Sequence, residues 1–145
     1  MRLTTFTDYS LRVLIYLALK GEENTTIAEI SEVYGISKNH LMKVVQELSQ
    51  KGYLVASRGK NGGLRLSTDP AQINIGQLVR SMESDLALTE CLGRNNHCVL
   101  TPACALQTML TEALDAFFVV LDGYNLADIV KGRRRERLVD LLNIA

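Results

Sequence analysis

Residues 26–50, TIAEISEVYGISKNHLMKVVQELSQ, decide the fold of this 145-residue chain. Thr26 is placed to cap a first helix, Gly35 interrupts that helix, and Ser37 is placed to cap a second one. The second helix repeats apolar residues at helical spacing, namely Leu41, Val44, Val45 and Leu48. Two helices joined by a short turn that contains glycine are typical of a helix–turn–helix.

The side of the second helix opposite this apolar stripe is polar. It carries Lys38, Asn39, His40, Lys43 and Gln46. Amide side chains can pair with adenine, and lysine can bind guanine or phosphate. The polar residues cluster near the start of the helix, where a recognition helix contacts the bases. We therefore predict DNA contacts from Ser37, Lys38, Asn39, His40 and Lys43. His40 taken alone is also compatible with an ordinary surface histidine.

A β-hairpin is predicted directly after the helix–turn–helix. Residues 53–57 and 64–66 are short strand-like runs, and RGKNGG at residues 58–63 forms a turn between them. This order of elements makes a winged helix, whose glycines let the backbone approach a DNA groove closely. The predicted DNA contacts in the wing are Arg58, Lys60, Asn61, Gly62 and Gly63. From Ser37 to Arg65 the chain has six basic residues and one acid, which indicates a local basic surface.

The remaining predicted elements are helical. Thr7 is placed to cap a helix before the helix–turn–helix, and Asn74 to cap one after it. Pro102 suits the first turn of a long helix that runs to about Tyr124, and Asn125 suits the cap of a short helix. The predicted fold class is mainly α with a small β-hairpin, a winged helix–turn–helix followed by a long helix.

Composition excludes several classes of protein. Basic and acidic residues balance at 16 each, which excludes a polybasic, histone-like mode of DNA binding. A basic run at residues 131–137 is interpreted as a solvated helix face. No apolar run approaches the roughly 20 residues of a membrane helix, and the start lacks a secretory signal, so we expect a cytoplasmic protein. With only two histidines, His40 and His97, and no recognisable catalytic arrangement, the chain is not expected to be an enzyme.

Three cysteines, Cys91, Cys98 and Cys104, are the candidate metal ligands. An odd number of thiols in a cytosolic protein points to metal binding or redox sensing rather than to disulfides. Their spacing is wider than that of paired zinc ligands and differs from the compact ferredoxin pattern. Spacing alone leaves three interpretations open, which are an iron–sulfur cluster, a thiol switch and incidental buried thiols.

A cluster of four irons held by three thiolates requires a fourth ligand. Within the cysteine-bearing loop the candidates are His97, Glu90 and Asp85. Elsewhere in the chain they are Asp8 and His40. The residues themselves do not choose among these five side chains.

Five stretches together resemble the winged-helix iron–sulfur repressor family. The likeness extends over nearly the whole chain, and its motifs are specific in combination. They are residues 3–9 (LTTFTDY), 34–40 (YGISKNH), 58–63 (RGKNGG), 101–104 (TPAC) and 125–128 (NLAD).

This resemblance implies a homodimer whose long helices cross at the interface, with an iron–sulfur cluster on each subunit. It implies that Cys91, Cys98 and Cys104 bind the cluster, and a 4Fe–4S cluster is expected in preference to 2Fe–2S. In nitric-oxide-sensing members the fourth ligand would be the acid near the N-terminus, here Asp8, contributed by the other subunit. The implied function is repression at a palindromic operator in double-stranded DNA, relieved by nitric oxide.

The same resemblance divides the chain into three parts of one compact unit. Residues 1–82 would form the winged-helix DNA-binding domain and residues 83–104 the cluster-binding loop. Residues 105–145 would hold the dimerisation helix and the C-terminal helices.

Other hypotheses remain open at this point. Cluster-assembly regulators of the same family carry a histidine ligand three residues after the third cysteine, where this chain has Gln107, a poor iron ligand. A general redox regulator with a 2Fe–2S cluster or a bare thiol switch would share the fold. A metal-trafficking or electron-transfer module without DNA binding is a further class, and the basic wing argues against it.

Overall fold

The computed structural model of the protein describes residues 1–145, arranged as seven α-helices and one two-stranded antiparallel sheet. The first half contains the winged helix, and three-residue 3-10 turns interrupt the connections at Pro70–Gln72, Glu90–Leu92 and Thr101–Ala103. The elements in chain order are α1 (Thr5–Lys20), α2 (Ile27–Tyr34), α3 (Lys38–Gln50), β1 (Leu54–Ser57), β2 (Gly63–Leu66), α4 (Ile75–Met82), α5 (Ala105–Asp122), α6 (Leu126–Ile129) and α7 (Gly132–Leu141).

Most of the predicted helix caps are confirmed. Thr26 and Glu29 form a reciprocal capping box at the start of α2, and the Ser37 hydroxyl accepts from the backbone N–H of His40 at the start of α3. The side chains of Asn74 and Asn125 likewise accept from backbone N–H groups in the first turns of α4 and α6. Polar caps that satisfy the free amides of the first turn therefore define where these helices begin.

The predicted start of α1 is wrong by one turn. The cap is Thr4, whose hydroxyl accepts from the backbone N–H of Thr7, while Thr7 itself is fully buried inside the helix. The helix extends further towards the N-terminus because Leu3 and Phe6 also pack against the core, which lengthens the apolar stripe beyond the residues used for the prediction.

The predicted start of the long helix α5 also requires correction. Pro102 lies in a separate 3-10 turn rather than in the first turn of α5. Cys104 has extended backbone angles and occupies the cap position, so α5 begins only at Ala105 and ends at Asp122. Cys104 therefore lies just outside the helix, and not inside it as a first turn at Pro102 would require.

One hydrophobic core connects the winged helix to the C-terminal helices. α1 runs through its centre and packs against α3, α4, α6 and α7. The hairpin aligns Leu54 with Leu66 and Ser57 with Gly63, and it turns Leu54 and Leu64 into the core. Fully buried side chains come from α1, α2, α3, β1, α4 and α6, among them Leu14, Leu17, Ile30, Leu41, Leu48, Leu78 and Leu126.

A clamp between α4 and α5 holds the long helix against the winged helix. The Arg80 guanidinium donates two hydrogen bonds to the Asp122 carboxylate, at 2.6 and 2.9 Å, and lies 4.1 Å from the centre of the Phe118 ring. The hydrogen bonds from Arg80 lower the pKa of Asp122. The Asn74 side chain also donates to the backbone carbonyl of Asp122, at 2.8 Å.

Gly76 makes this close approach possible, so Gly76→Ala is expected to destabilise the protein. Alanine inside a helix normally stabilises by about 0.5–1 kcal/mol relative to glycine. Here the added methyl group would overlap with the Asp122 carboxylate, and overpacking of this kind costs about 1–3 kcal/mol. Urea unfolding should show a net loss of up to about 2.5 kcal/mol. In an Asp122→Ala background the same change should cost less, and an equal cost would contradict the explanation.

The C-terminal helix α7 packs against the end of α1. Arg135 donates to the backbone carbonyls of Ala18 and Leu19, which are free because they belong to the last turn of α1. The other basic residues of the run at 131–137 are exposed, as predicted for a solvated helix face. None of the helices has both the length and the apolar composition required to cross a membrane.

Candidate DNA interface and thiol segment

The outer face of α3 is exposed and polar, as predicted. Lys38, Asn39, Lys43 and Gln46 are all exposed, while the stripe containing Leu41 is buried. Because residues three and four apart share a helix face, Asn39, Lys43 and Gln46 lie on one side. No ion pair involves Lys38 or Lys43, so both ammonium groups are available to an anionic partner.

Ser37 and His40 have contacts within the chain that position α3. The Ser37 hydroxyl caps the helix by accepting from the backbone N–H of His40 at 3.2 Å. The His40 ring is half-buried and meets the Tyr9 ring edge-on, with ring centres 4.8 Å apart. These contacts fix the start of α3 against α1, so both residues orient the exposed side chains beside them.

The wing is a tight turn fastened to the segment after α1. Arg58, Lys60 and Asn61 are exposed at its tip. The Asn24 side chain donates to the backbone carbonyl of Asn61 at 2.6 Å, which ties the tip to the body of the domain. A side chain at Gly62 would overlap with the backbone of Ser57, so this turn requires glycine there.

Sequence reasoning missed part of the exposed face of α3. Met42 is 56% exposed although it is large and apolar, and it lies in a cleft with Asn39, Gln46 and Gln50. The cleft is closed by Ile27 at the start of α2 and by Ala56 of β1. Helical spacing from Asn39 would have identified Met42 and Gln50, but the prediction took only polar residues near the start of the helix.

The three cysteines lie in or at the end of an irregular segment, residues 83–104, which contains no element longer than a 3-10 turn. All three thiols are free and half-buried. The Gln107 side chain of α5 donates to the backbone carbonyl of Cys91 at 3.0 Å. The backbone N–H of Cys98 donates to Asn96, and its carbonyl accepts from the Thr101 hydroxyl. The Cys104 side chain makes no capping bond.

The candidate fourth ligands differ in the hydrogen bonds and ion pairs that they already form. Glu90 accepts from the backbone N–H of His97 at 2.7 Å, and Asp85 accepts from that of Ala87 at 2.8 Å, so both carboxylates stabilise the local turns. Asp8 instead pairs with Arg12 one turn away on α1, at 2.8 Å, with both side chains nearly half exposed. Gln107 is already engaged by the Cys91 carbonyl.

The donor types of the thiol segment fit an iron–sulfur cluster. The three cysteines are free and half-buried on an irregular segment, and cysteine sulfur is the ligand type that holds such clusters. Within one chain, however, no three His, Cys, Asp or Glu side chains are arranged to hold a metal ion. The single chain therefore supplies three suitable sulfur donors but no preformed mononuclear ion site.

A network of aromatic and charged side chains joins Asp8 to the helix–turn–helix. The Arg12 guanidinium lies 5.8 Å from the ring centre of Tyr9 and 5.9 Å from that of Tyr34. The Tyr34 hydroxyl donates to the backbone carbonyl of Arg12, and burial raises the pKa of Tyr34 to about 12, so it remains a neutral donor. Because Tyr9 contacts His40, the network reaches the start of α3.

The fold and its exposed face define a winged-helix DNA-binding protein. The profile of the Rrf2 family, described as an iron-dependent transcriptional regulator, matches residues 3–132. The chain therefore belongs to the Rrf2 family and is a DNA-binding transcriptional regulator.

Relatives support a more specific likeness within the family. The chain is 52% identical to the HTH-type transcriptional regulator NsrR of Bacillus licheniformis, over 90% of this chain and 92% of that protein. It is 50% identical to NsrR of Bacillus subtilis, over 99% of both chains. These similarities confirm the resemblance to the winged-helix repressor family that the five sequence stretches indicate, and both of these relatives are NsrR regulators.

Solved structures confirm the fold. CymR of B. subtilis, the global cysteine regulator, superimposes with a TM-score of 0.72 at 26% identity, over 89% of this chain and 95% of that one. IscR of T. potens superimposes with a TM-score of 0.72 at 23% identity, over 90% of this chain and 86% of that one. The mainly helical winged-helix architecture predicted from residues 26–66 is thus correct.

Proposed function

We propose that the chain is a cytoplasmic, homodimeric repressor that binds a palindromic operator and releases it when nitric oxide reacts with an iron–sulfur cluster. The observation that carries this proposal is the network from Asp8 through Arg12 and Tyr9 to His40, because it joins a candidate ligand to the DNA-reading helix. The assignment of nitric oxide as the signal rests on the resemblance of the sequence motifs.

DNA contact is assigned to the exposed face of α3 and to the wing. Asn39 and Gln46 can pair with base edges, while Lys38 and Lys43 can bind phosphate or guanine. The wing would add Arg58, Lys60 and Asn61, with Gly62 and Gly63 allowing the backbone to approach the duplex. Ser37 and His40 would act mainly by orienting these side chains.

Asn39→Ala and Lys43→Ala are expected to weaken DNA binding in different ways. Loss of the Asn39 amide should relax base preference, with about 1–3 kcal/mol less discrimination at one base position. Loss of the Lys43 ammonium should weaken binding to all sequences and reduce the slope of log affinity against log salt by about one. Competition binding with substituted operators at several salt concentrations measures both effects. Unchanged footprints in both variants would place recognition elsewhere.

Dimerisation is assigned to α5, because this long helix leaves an apolar stripe uncovered. Only Phe118 of its 18 residues is buried, whereas Leu106 and Met109 are 58% and 62% exposed. The exposed stripe alternates steps of three and four residues, the spacing of a coiled-coil seam. Its members are Leu106, Met109, Ala113, Ala116 and Val120. A second copy of α5 is the partner that this self-complementary spacing fits.

Cluster binding is assigned to Cys91, Cys98 and Cys104, with Asp8 of the partner subunit as the fourth ligand. Four ligands suit a 4Fe–4S or a 2Fe–2S cluster, and a 4Fe–4S cluster is proposed on the resemblance of the sequence motifs. When bound, the cluster supplies iron that reacts with nitric oxide and thiolate bonds that hold the segment folded. Cys104 occupies the cap position of α5, at the end of the segment that carries the other two thiols.

The energetics allow Asp8 to exchange its partner. An exposed pair at i and i+4, such as Asp8 with Arg12, contributes only about 0.3–0.5 kcal/mol. A stronger ligand partner therefore withdraws the Asp8 carboxylate at little cost, and Arg12 is then held only by the rings of Tyr9 and Tyr34. A shift of Tyr9 moves its contact with His40, and in a dimer two reading helices must stay about 34 Å apart.

Asp8→Ala tests this proposal directly. The variant should retain a cluster on its three thiolates but lose much of the difference in DNA affinity between the cluster-loaded and cluster-free forms. That difference is expected to be of the order of 150-fold in the wild type, for about 3 kcal/mol of coupling. Fluorescence anisotropy with both forms measures it.

The control is Asp115→Ala, which removes an exposed carboxylate of α5 that forms no ion pair. This variant should behave as the wild type. If Asp8→Ala responds to nitric oxide and to cluster removal just as the wild type does, the assigned role of Asp8 is wrong.

A further inference from the structure

Helix α1 lacks part of the cap that other helices of this protein build for themselves. In α2 the Glu29 carboxylate, three residues after the cap, accepts from the backbone N–H of Thr26. In α6 Asp128 does the same for Asn125. The corresponding residue in α1 is Thr7, which is buried and does not accept from the Thr4 backbone. The capping box of α1 is therefore incomplete within its own helix.

Glu83 supplies the missing carboxylate from a distant part of the chain. Its Oε1 accepts from the backbone N–H of Thr4 at 2.7 Å and from the Thr4 hydroxyl at 3.1 Å. The same hydroxyl oxygen accepts from the backbone N–H of Thr7, which completes a chain of hydrogen bonds into the first turn. A carboxylate at this position also interacts favourably with the positive end of the helix dipole.

Glu83 is the residue at which α4 ends and the thiol segment begins. It is the C-cap residue of α4, and the chain then continues through the irregular residues 84–104. Beside the Glu83–Thr4 contact, Leu3 and Leu86 line an apolar groove together with Leu114 of α5. The start of α1 is thus assembled from the N-terminal residues and the first residues of the thiol segment.

We propose that Glu83 is a positioning residue that makes the first turn of α1 depend on the conformation of the thiol segment. This inference rests on the proposed function, because the segment changes conformation only if it binds and loses the cluster. When the segment withdraws Glu83, Thr4 loses an acceptor and the first turn of α1 frays. That turn carries Asp8, and Tyr9 beyond it contacts His40 of α3. Glu83 thereby couples the thiol segment to α3 within one subunit.

Hydrogen exchange tests the cap without requiring cluster or DNA. In Glu83→Ala the backbone N–H groups of residues 4–8 should exchange about fivefold faster than in the wild type, the effect of losing one cap. Glu83→Gln retains an oxygen acceptor and should remain within about twofold of the wild type. Glu29→Ala is the matched control, because it opens the box of α2 and should leave residues 4–8 unchanged. Equal exchange at residues 4–8 in wild type and Glu83→Ala would overturn the proposal.

A second measurement separates a positioning role from a merely structural one. The ratio of operator affinities between cluster-loaded and cluster-free protein should fall several-fold in Glu83→Ala and be restored in Glu83→Gln. Faster exchange with an unchanged ratio would show a structural cap only and would refute the proposed coupling. If the wild type itself binds DNA equally well with and without cluster, the proposed function and this coupling both fail. The hydrogen exchange at residues 4–8 would then show only whether Glu83 caps α1.

Discussion

Cys98→Ala protein purified without oxygen is expected to be colourless and to contain essentially no iron or sulfide. Cys98 is the middle of the three thiols, and its backbone is held by Asn96 and Thr101 so that the segment presents its half-buried side chain at a defined place. Removal of one of three thiolates leaves two sulfur donors in each chain, too few to retain a cubane cluster. Visible absorbance together with iron and sulfide analysis measures the loss.

The control for this variant is Asn95→Ala, in the same loop. Asn95 is exposed and makes no side-chain hydrogen bond, so this change should leave colour and iron content at the wild-type level. Full colour and iron in Cys98→Ala would remove Cys98 from the ligand set. Thermal unfolding of both apoproteins should be alike, which shows that the loss concerns the cluster and not the fold.

Ala113→Arg is expected to convert the proposed dimer into a monomer and to reduce operator affinity by about 100-fold or more. Ala113 lies in the middle of the exposed apolar stripe of α5, where a small side chain allows two helices to approach closely. An arginine there would meet its copy across a two-fold axis, so that bulk and like charge both oppose association. Because a dimer binds two half-sites at once, its avidity exceeds that of one subunit by about 10²–10⁴.

Thr108→Arg is the matched control, since Thr108 is exposed on α5 but lies off the stripe. It introduces the same side chain and charge and should remain dimeric. Light scattering coupled to size-exclusion chromatography gives the mass of each variant, and anisotropy gives its affinity. A dimeric Ala113→Arg protein with undiminished affinity would show that the subunits associate through another surface.

Local features of the fold were predictable because local interactions determine them. Thr26, Ser37 and Asn74 each satisfy amides within three residues of themselves, so a short stretch of sequence contains all the necessary information. The RGKNGG turn is determined in the same way, by the glycine that the backbone requires at residue 62. The exposure of the basic residues of α3 and the wing follows directly from this local structure.

Contacts between distant residues were not predictable, and they account for the errors. The hydrogen bonds from Thr4 to Glu83 join residues 79 positions apart, and the clamp of Arg80 on Asp122 joins residues 42 apart. His40 was predicted to be free on the outer side of α3, but it packs against Tyr9 of α1. A single sequence contains no signal for such pairs, since many alternative partners have the same chemistry.

The cluster ligands are the part of the site where the sequence-based prediction and the structure of a single chain agree least. The spacing of the three cysteines indicates a segment and a donor type, and in the structure these thiols are free and half-buried. The fourth ligand is assigned to a second subunit, so neither the sequence pattern nor the contacts of one chain contain it. Asp8 pairs with Arg12 within its own chain.

Titration with nitric oxide tests the link between the thiol segment and the DNA-reading helix most directly. Anaerobically purified protein, bound to a duplex that it has itself selected from a random library, is titrated while visible absorbance and DNA binding are followed in the same samples. We expect both signals to fall together, with the same dependence on nitric oxide. Cluster absorbance that disappears while DNA stays fully bound, or a colourless, metal-free preparation that binds as tightly as the loaded one, would contradict the proposal.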